Sequence, residues 1–85
     1  MSEKLIQSYV LEKFFVSTVW RESSAMAIPA LWYYETIVFE WNRETKECGS
    51  IINQEDSGSD KNTAIQNHNN ICREIVANSP QQAAL

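Results

Sequence analysis

Alternation of apolar and polar positions organises the middle of this chain. In "KFFVSTVWRE", residues 13–22, aromatic and β-branched side chains suit a pleated surface and predict a strand. Phe14, Val16, Thr18 and Trp20 share one face, and Phe15, Ser17, Val19 and Arg21 share the other, more polar one. A second strand follows in "WYYETIVFEW", residues 32–41, which holds five of the nine aromatic residues. One of its faces carries Tyr33, Glu35, Ile37, Phe39 and Trp41, and the other Trp32, Tyr34, Thr36, Val38 and Glu40, so both are largely apolar. "NRETKE", residues 42–47, reads as a turn, and "CGSIINQ", residues 48–54, as a third and weaker strand antiparallel to the second.

The period changes near residue 64. Ala64, Ile65, His68, Ile71, Cys72, Ile75 and Val76 fall on one helical stripe, with Gln66, Asn67, Asn70, Arg73 and Glu74 opposite. Asp60 or Asn62 supplies a cap, and Asn78, Ser79 and Pro80 end the helix. Residues 1–12 are open between two readings. Leu5 with Tyr9, and Ile6 with Val10, have helical spacing under a Ser2 cap, but the segment also suits an early strand bending at Glu12-Lys13. If it is helical, the order α-β-β-β-α resembles that of double-stranded RNA binding domains. Those domains grip phosphates with a lysine cluster at the start of the last helix. The matching site here reads "SDKNTA", with one lysine and an acid, so RNA binding is not carried over.

The expected fold class is therefore α+β: a small antiparallel sheet of three to four strands with a C-terminal amphipathic helix on one face. Residues 1–78 form one domain, and residues 79–85 a flexible C-terminal tail. The 23–31 segment, "SSAMAIPAL", is a loop too long for a tight hairpin.

One helix covers one face of such a sheet, and the Tyr33–Ile37–Phe39–Trp41 face, or its neighbour, must meet something else. The face is covered by the chain's own ends, by a second copy or by a partner. Trp20, Trp32, Tyr34 and Val38 are the expected contact residues, since large apolar patches and Trp or Tyr anchors mark interfaces. The functional expectation is a non-enzymatic interaction module, a homodimer or one bound to a protein partner. The alternative is a small-molecule binding domain with an aromatic cleft between the 23–31 loop and the sheet.

Charge narrows the partners. A net charge of −4, with the seven Lys and Arg scattered, argues against nucleic acid and anionic membrane surfaces. The N-terminus lacks a signal peptide's apolar stretch, and no apolar run is long enough to span a bilayer, so the expected location is cytoplasmic. Cys48 and Cys72 are then expected as buried free thiols.

Candidate chemistry is sparse. His68 and Cys72 share a helical face, and Cys48 approaching from the sheet would make a three-ligand metal site without a fourth ligand or a C-x-x-C pair. A hydrogen-bonded histidine at the core edge is the competing reading. Glu35, on an apolar face, is a general acid or base if unpaired, and a structural group if paired with Arg21. "EDSGSD", residues 55–60, imitates a calcium loop without its ligand spacing. No cofactor and no metal are expected, nor any catalytic residue.

Overall fold

A computed structural model describes residues 2–22 and 31–78. The 23–30 stretch of the predicted loop and the 79–85 tail lie outside the described residues. The chain runs β1 (Ser2–Val10), β2 (Phe14–Glu22), β3 (Trp32–Asn42), β4 (Glu47–Asp56) and α1 (Lys61–Ala77). The four strands form one antiparallel sheet in the order β1-β2-β3-β4, and α1 crosses one face of it. This is the expected α+β class, with four strands and one helix.

Residues 2–10 are a strand, not a helix, which removes the order shared with double-stranded RNA binding domains. Pairing with β2 overrides the weak helical spacing. A bulge between Lys4 and Ile6 shifts the alternation, so that Ile6, Ser8 and Val10 face α1 while Gln7 and Tyr9 face away. The β1–β2 connection, residues 11–13, holds a β-turn closed by Lys13 N–H to Val10 O at 3.1 Å. Leu11 and Glu12 both take left-handed backbone, at φ 54° and 56°. Primed hairpin turns require that geometry and usually assign it to Asn-Gly. Here Leu11 packs against the core and Glu12 pairs with Arg43.

The β3–β4 turn is built differently. Asn42 Oδ1 accepts from the N–H groups of Glu44 at 2.9 Å and Thr45 at 3.2 Å, and Asn42 O accepts from Lys46 N–H at 2.7 Å. Strand β4 extends to Asp56, further than the sequence suggests, because Glu55 and Asp56 pair with Thr36 and Glu35. Those two acids therefore belong to a strand, which dissolves the imitation of a calcium loop.

Helix α1 starts at Asp60, whose carboxylate accepts from Thr63 N–H at 2.9 Å and Thr63 Oγ1 at 2.6 Å. Those two donors hold the Asp60 carboxyl below its ordinary pKa. The helix buries Ala64, His68 and Ile71 against β1, β2 and β3, leaving β4 largely beyond its reach. The core is small: Val10, Val16, Val38 and Ile71, flanked by Phe14, Leu11, Cys72, Ile75 and Val76.

Candidate functional site: the open sheet face

Cross-strand register assigns every sheet residue to a face. Val16 opposes Val38, Thr18 opposes Thr36 and Trp20 opposes Tyr34, all on the side covered by α1. The small and β-branched pairs among these, Val16 with Val38 and Thr18 with Thr36, let the helix approach. Ring-bearing residues also stand on the other side, where Phe15 opposes Phe39 and Tyr9 opposes Phe15.

The rings on that open face form one cluster. Tyr9 lies 5.0 Å from Phe15 and 4.8 Å from Trp41 between centroids, and Phe15 lies 5.9 Å from Trp41 and 6.2 Å from Phe39. These separations suit favourable tilted and offset contacts. Among the described residues no element lies over the cluster. Tyr9 is 62% exposed and Ile51, beside Phe39 on β4, is 54% exposed.

A polar end completes this face. Arg21 Nη1 donates to Glu35 Oε1 at 2.7 Å, and Gln54 Nε2 donates to Glu35 Oε2 at 3.1 Å. Glu35 is 6% exposed, so both of its oxygens are occupied by neighbours. The carboxylate's hydrogen bond and charge raise the Arg21 pKa. The Arg21 partnership anticipated from sequence is present, and it leaves Glu35 as a structural group.

The expected contact residues lie on the other side. Val38 is 3% exposed and packs with Val10, Val16 and Ile71 beneath α1, so it belongs to the core and not to an open surface. Trp20, Trp32 and Tyr34 stack together, with Trp20 centroids 4.5 Å from Tyr34 and 5.9 Å from Trp32. Tyr34 exchanges backbone hydrogen bonds with Ser57 and Gly58, which lead into α1. The sequence reading left either face of β3 as the one to meet something else, and its contact residues lie on the face that α1 crosses. The usable signal was side-chain size, because a helix settles on Val, Thr and Ser more closely than on rings.

Beneath the helix lies a polar chain. His68 is completely buried, with Nε2 2.8 Å from Ser8 Oγ and Nδ1 2.8 Å from Thr18 Oγ1, which is 2.6 Å from Thr36 Oγ1. A neutral imidazole donates from one nitrogen and accepts at the other, and hydroxyls answer either tautomer. The pairing of Ser8 with His68 has the spacing of a nucleophile and its base. However, the group orienting Nδ1 is an uncharged hydroxyl and the ring is sealed, so the network fastens α1 to the sheet. Cys72, next along the helix, has its thiol pKa raised by burial, with Ser8 opposing that shift.

Burial lowers the His68 pKa below its ordinary 6.5. The unfolded chain therefore binds the proton more readily, and falling pH favours unfolding. Stability from this group is complete above about pH 6.5 and is lost as pH drops toward the lower folded-state value. The groups hydrogen-bonded to the ring are the hydroxyls of Ser8 on β1 and Thr18 on β2, and among the described residues no carboxylate is bonded to it to offset its charge. Urea midpoints at fixed protein concentration are expected to fall between pH 8 and pH 5.5 in the native chain and to stay flat in His68→Gln.

Cys48 and Cys72 are free thiols. Cys48 is exposed, correcting the expectation that both are buried, and it opposes Trp41 on the open face while His68 lies under α1. The Cys-His-Cys arrangement considered from sequence is therefore not assembled. Among the described residues no three His, Cys, Asp or Glu side chains converge as metal ligands, and no helix is long and apolar enough to cross a membrane. No protein-family model, curated protein or solved structure matches the chain.

Proposed function

We propose that this domain is a non-enzymatic, cytoplasmic protein-interaction module whose working surface is the open sheet face. The observation that carries this reading is the ring cluster of Tyr9, Phe15, Phe39 and Trp41 on the side of the sheet opposite α1. A contiguous aromatic patch of this kind is costly to leave in water and is a common core for protein interfaces. Of the charges nearby, Arg21 and Glu35 pair with each other, and the chain is acidic overall, which favours a protein surface over nucleic acid or an anionic membrane. The aromatic cleft against the 23–31 loop has no such support, since most of that loop lies outside the described residues.

Trp41 reports on this surface directly. In a Trp20→Phe, Trp32→Phe background, acrylamide is expected to quench Trp41 readily in dilute protein, and less readily once a partner covers it. Strong shielding of Trp41 in a dilute monomer would show that the chain's own residues cover the face, and the reading would fail.

A further inference from the structure

Resting on that reading, we infer that the occupant of the open face is a second copy of this chain, packed face to face about a two-fold axis parallel to the strands. The sheet's register carries this inference. Tyr9, Phe15, Phe39 and Ile51 stand opposite one another in a single row across β1, β2, β3 and β4. The next row is Gln7, Ser17, Ile37 and Gln54. The row after that is Lys4, Val19, Glu35 and Asp56.

A two-fold axis running between β2 and β3, in the plane separating the two copies, lays β1 over the partner's β4 and β2 over the partner's β3. Each row then meets its own reverse. Tyr9 faces the partner's Ile51, and Phe15 faces the partner's Phe39. Gln7 faces the partner's Gln54. Lys4, exposed and without an ion pair among the described residues, faces the partner's Asp56, which is also exposed. An axis at right angles to the strands that crosses the Gln7 row would instead set the ring row of one copy against the charged row of the other, and one that crosses the ring row would put Lys4 and Asp56 out of each other's reach. Charge and apolarity therefore select the same operator.

The dimensions agree with it. Strands about 4.8 Å apart and a face about 30 Å long give a footprint of roughly 600 Å². Side-chain relief brings the accessible area toward the about 800 Å² per partner of a standard interface. Two such sheets pack about 10 Å apart with their strands rotated by about 30°. The central Phe15–Phe39 contacts are then closest, and the long Lys4 side chains span the corners.

The operator makes a sharp prediction for charge exchange. Lys4→Glu sets two acids together at both corners of its own dimer, and Asp56→Lys sets two lysines together. A mixed pair of the two variants restores an opposite-charge contact at both corners. Sedimentation equilibrium of the full chain is expected to show a dimer for the native protein. Each exposed-site variant is expected to dissociate about tenfold more readily, and the equimolar mixture to recover to within about threefold of native. Phe39→Ser, checked as folded by circular dichroism, is expected to be monomeric.

Each other outcome overturns the inference. A dimer lost in Phe39→Ser but not recovered by the mixture rejects the axis and leaves the sheet face as the docking surface. A native monomer with quenchable Trp41 rejects the second copy and leaves the face for a different protein. A dimer indifferent to Phe39→Ser rejects both the axis and the face.

Discussion

His68→Leu is expected to destabilise the domain by about 2–4 kcal/mol, although leucine is apolar and of similar size. The substitution removes the ring that joins Ser8 on β1 to Thr18 on β2 beneath the helix. Thr18 and Thr36 keep each other, but Thr18 is fully enclosed and loses one of its two bonds. Leaving buried polar groups unanswered costs more than never having them, since the lost hydration is not recovered. Hence the triple variant His68→Leu, Thr18→Val, Thr36→Val should recover much of the loss by making the layer apolar throughout. Urea denaturation at fixed concentration measures both. A single variant as stable as the native chain would show that the network contributes nothing.

Val38→Ser is expected to cost about 2–4 kcal/mol as well, from lost packing and a buried hydroxyl. Trp32→Ser, at a site 37% exposed, should cost much less. A small domain has only about 5–15 kcal/mol in hand, and here the buried apolar set is short. The Val38 variant should therefore show a shifted denaturation midpoint with the dimer contact surface intact, whereas Phe39→Ser should do the reverse. Equal losses from Val38→Ser and Phe39→Ser would mean that the two faces are not divided between core and interface.

The contrast between Val38 and Phe39 also marks how far the sequence could be read. Strands β2 and β3, the C-terminal helix and its Asp60 cap were legible because each rests on local periodicity or a local hydrogen bond. That one helix leaves a second, largely apolar sheet face was legible too. Which face that is depends on how closely a helix can approach, a property of shape rather than hydropathy. Strand β1 was ambiguous because its apolar spacing suits both periods, and only pairing with β2 and the bulge at Lys4–Ile6 decide it. The hydroxyl partners of His68 come from residues 8 and 18, fifty or more positions away. No spacing rule connects residues so distant, and Ser8 carried no signal of its own.

The two tight connections of the sheet differ in what closes them. Asn42 holds the β3–β4 turn through bonds within the turn itself, so that hairpin can form early from its own residues. Leu11 and Glu12 occupy left-handed backbone that neither residue favours, two in succession against the single Lys46 of the β3–β4 turn, and Leu11 packs against the core. The β1–β2 hairpin is therefore expected to close late, after the core it leans on has gathered. Assembly is then expected to run from the β4 end of the sheet toward β1, opposite to the order in which the chain is synthesised, and pulsed amide exchange during refolding should protect β3 and β4 before β1. A nascent chain emerging from the ribosome would hold its first two strands unpaired until the rest arrives, with the rings of Tyr9 and Phe15 exposed in the interval.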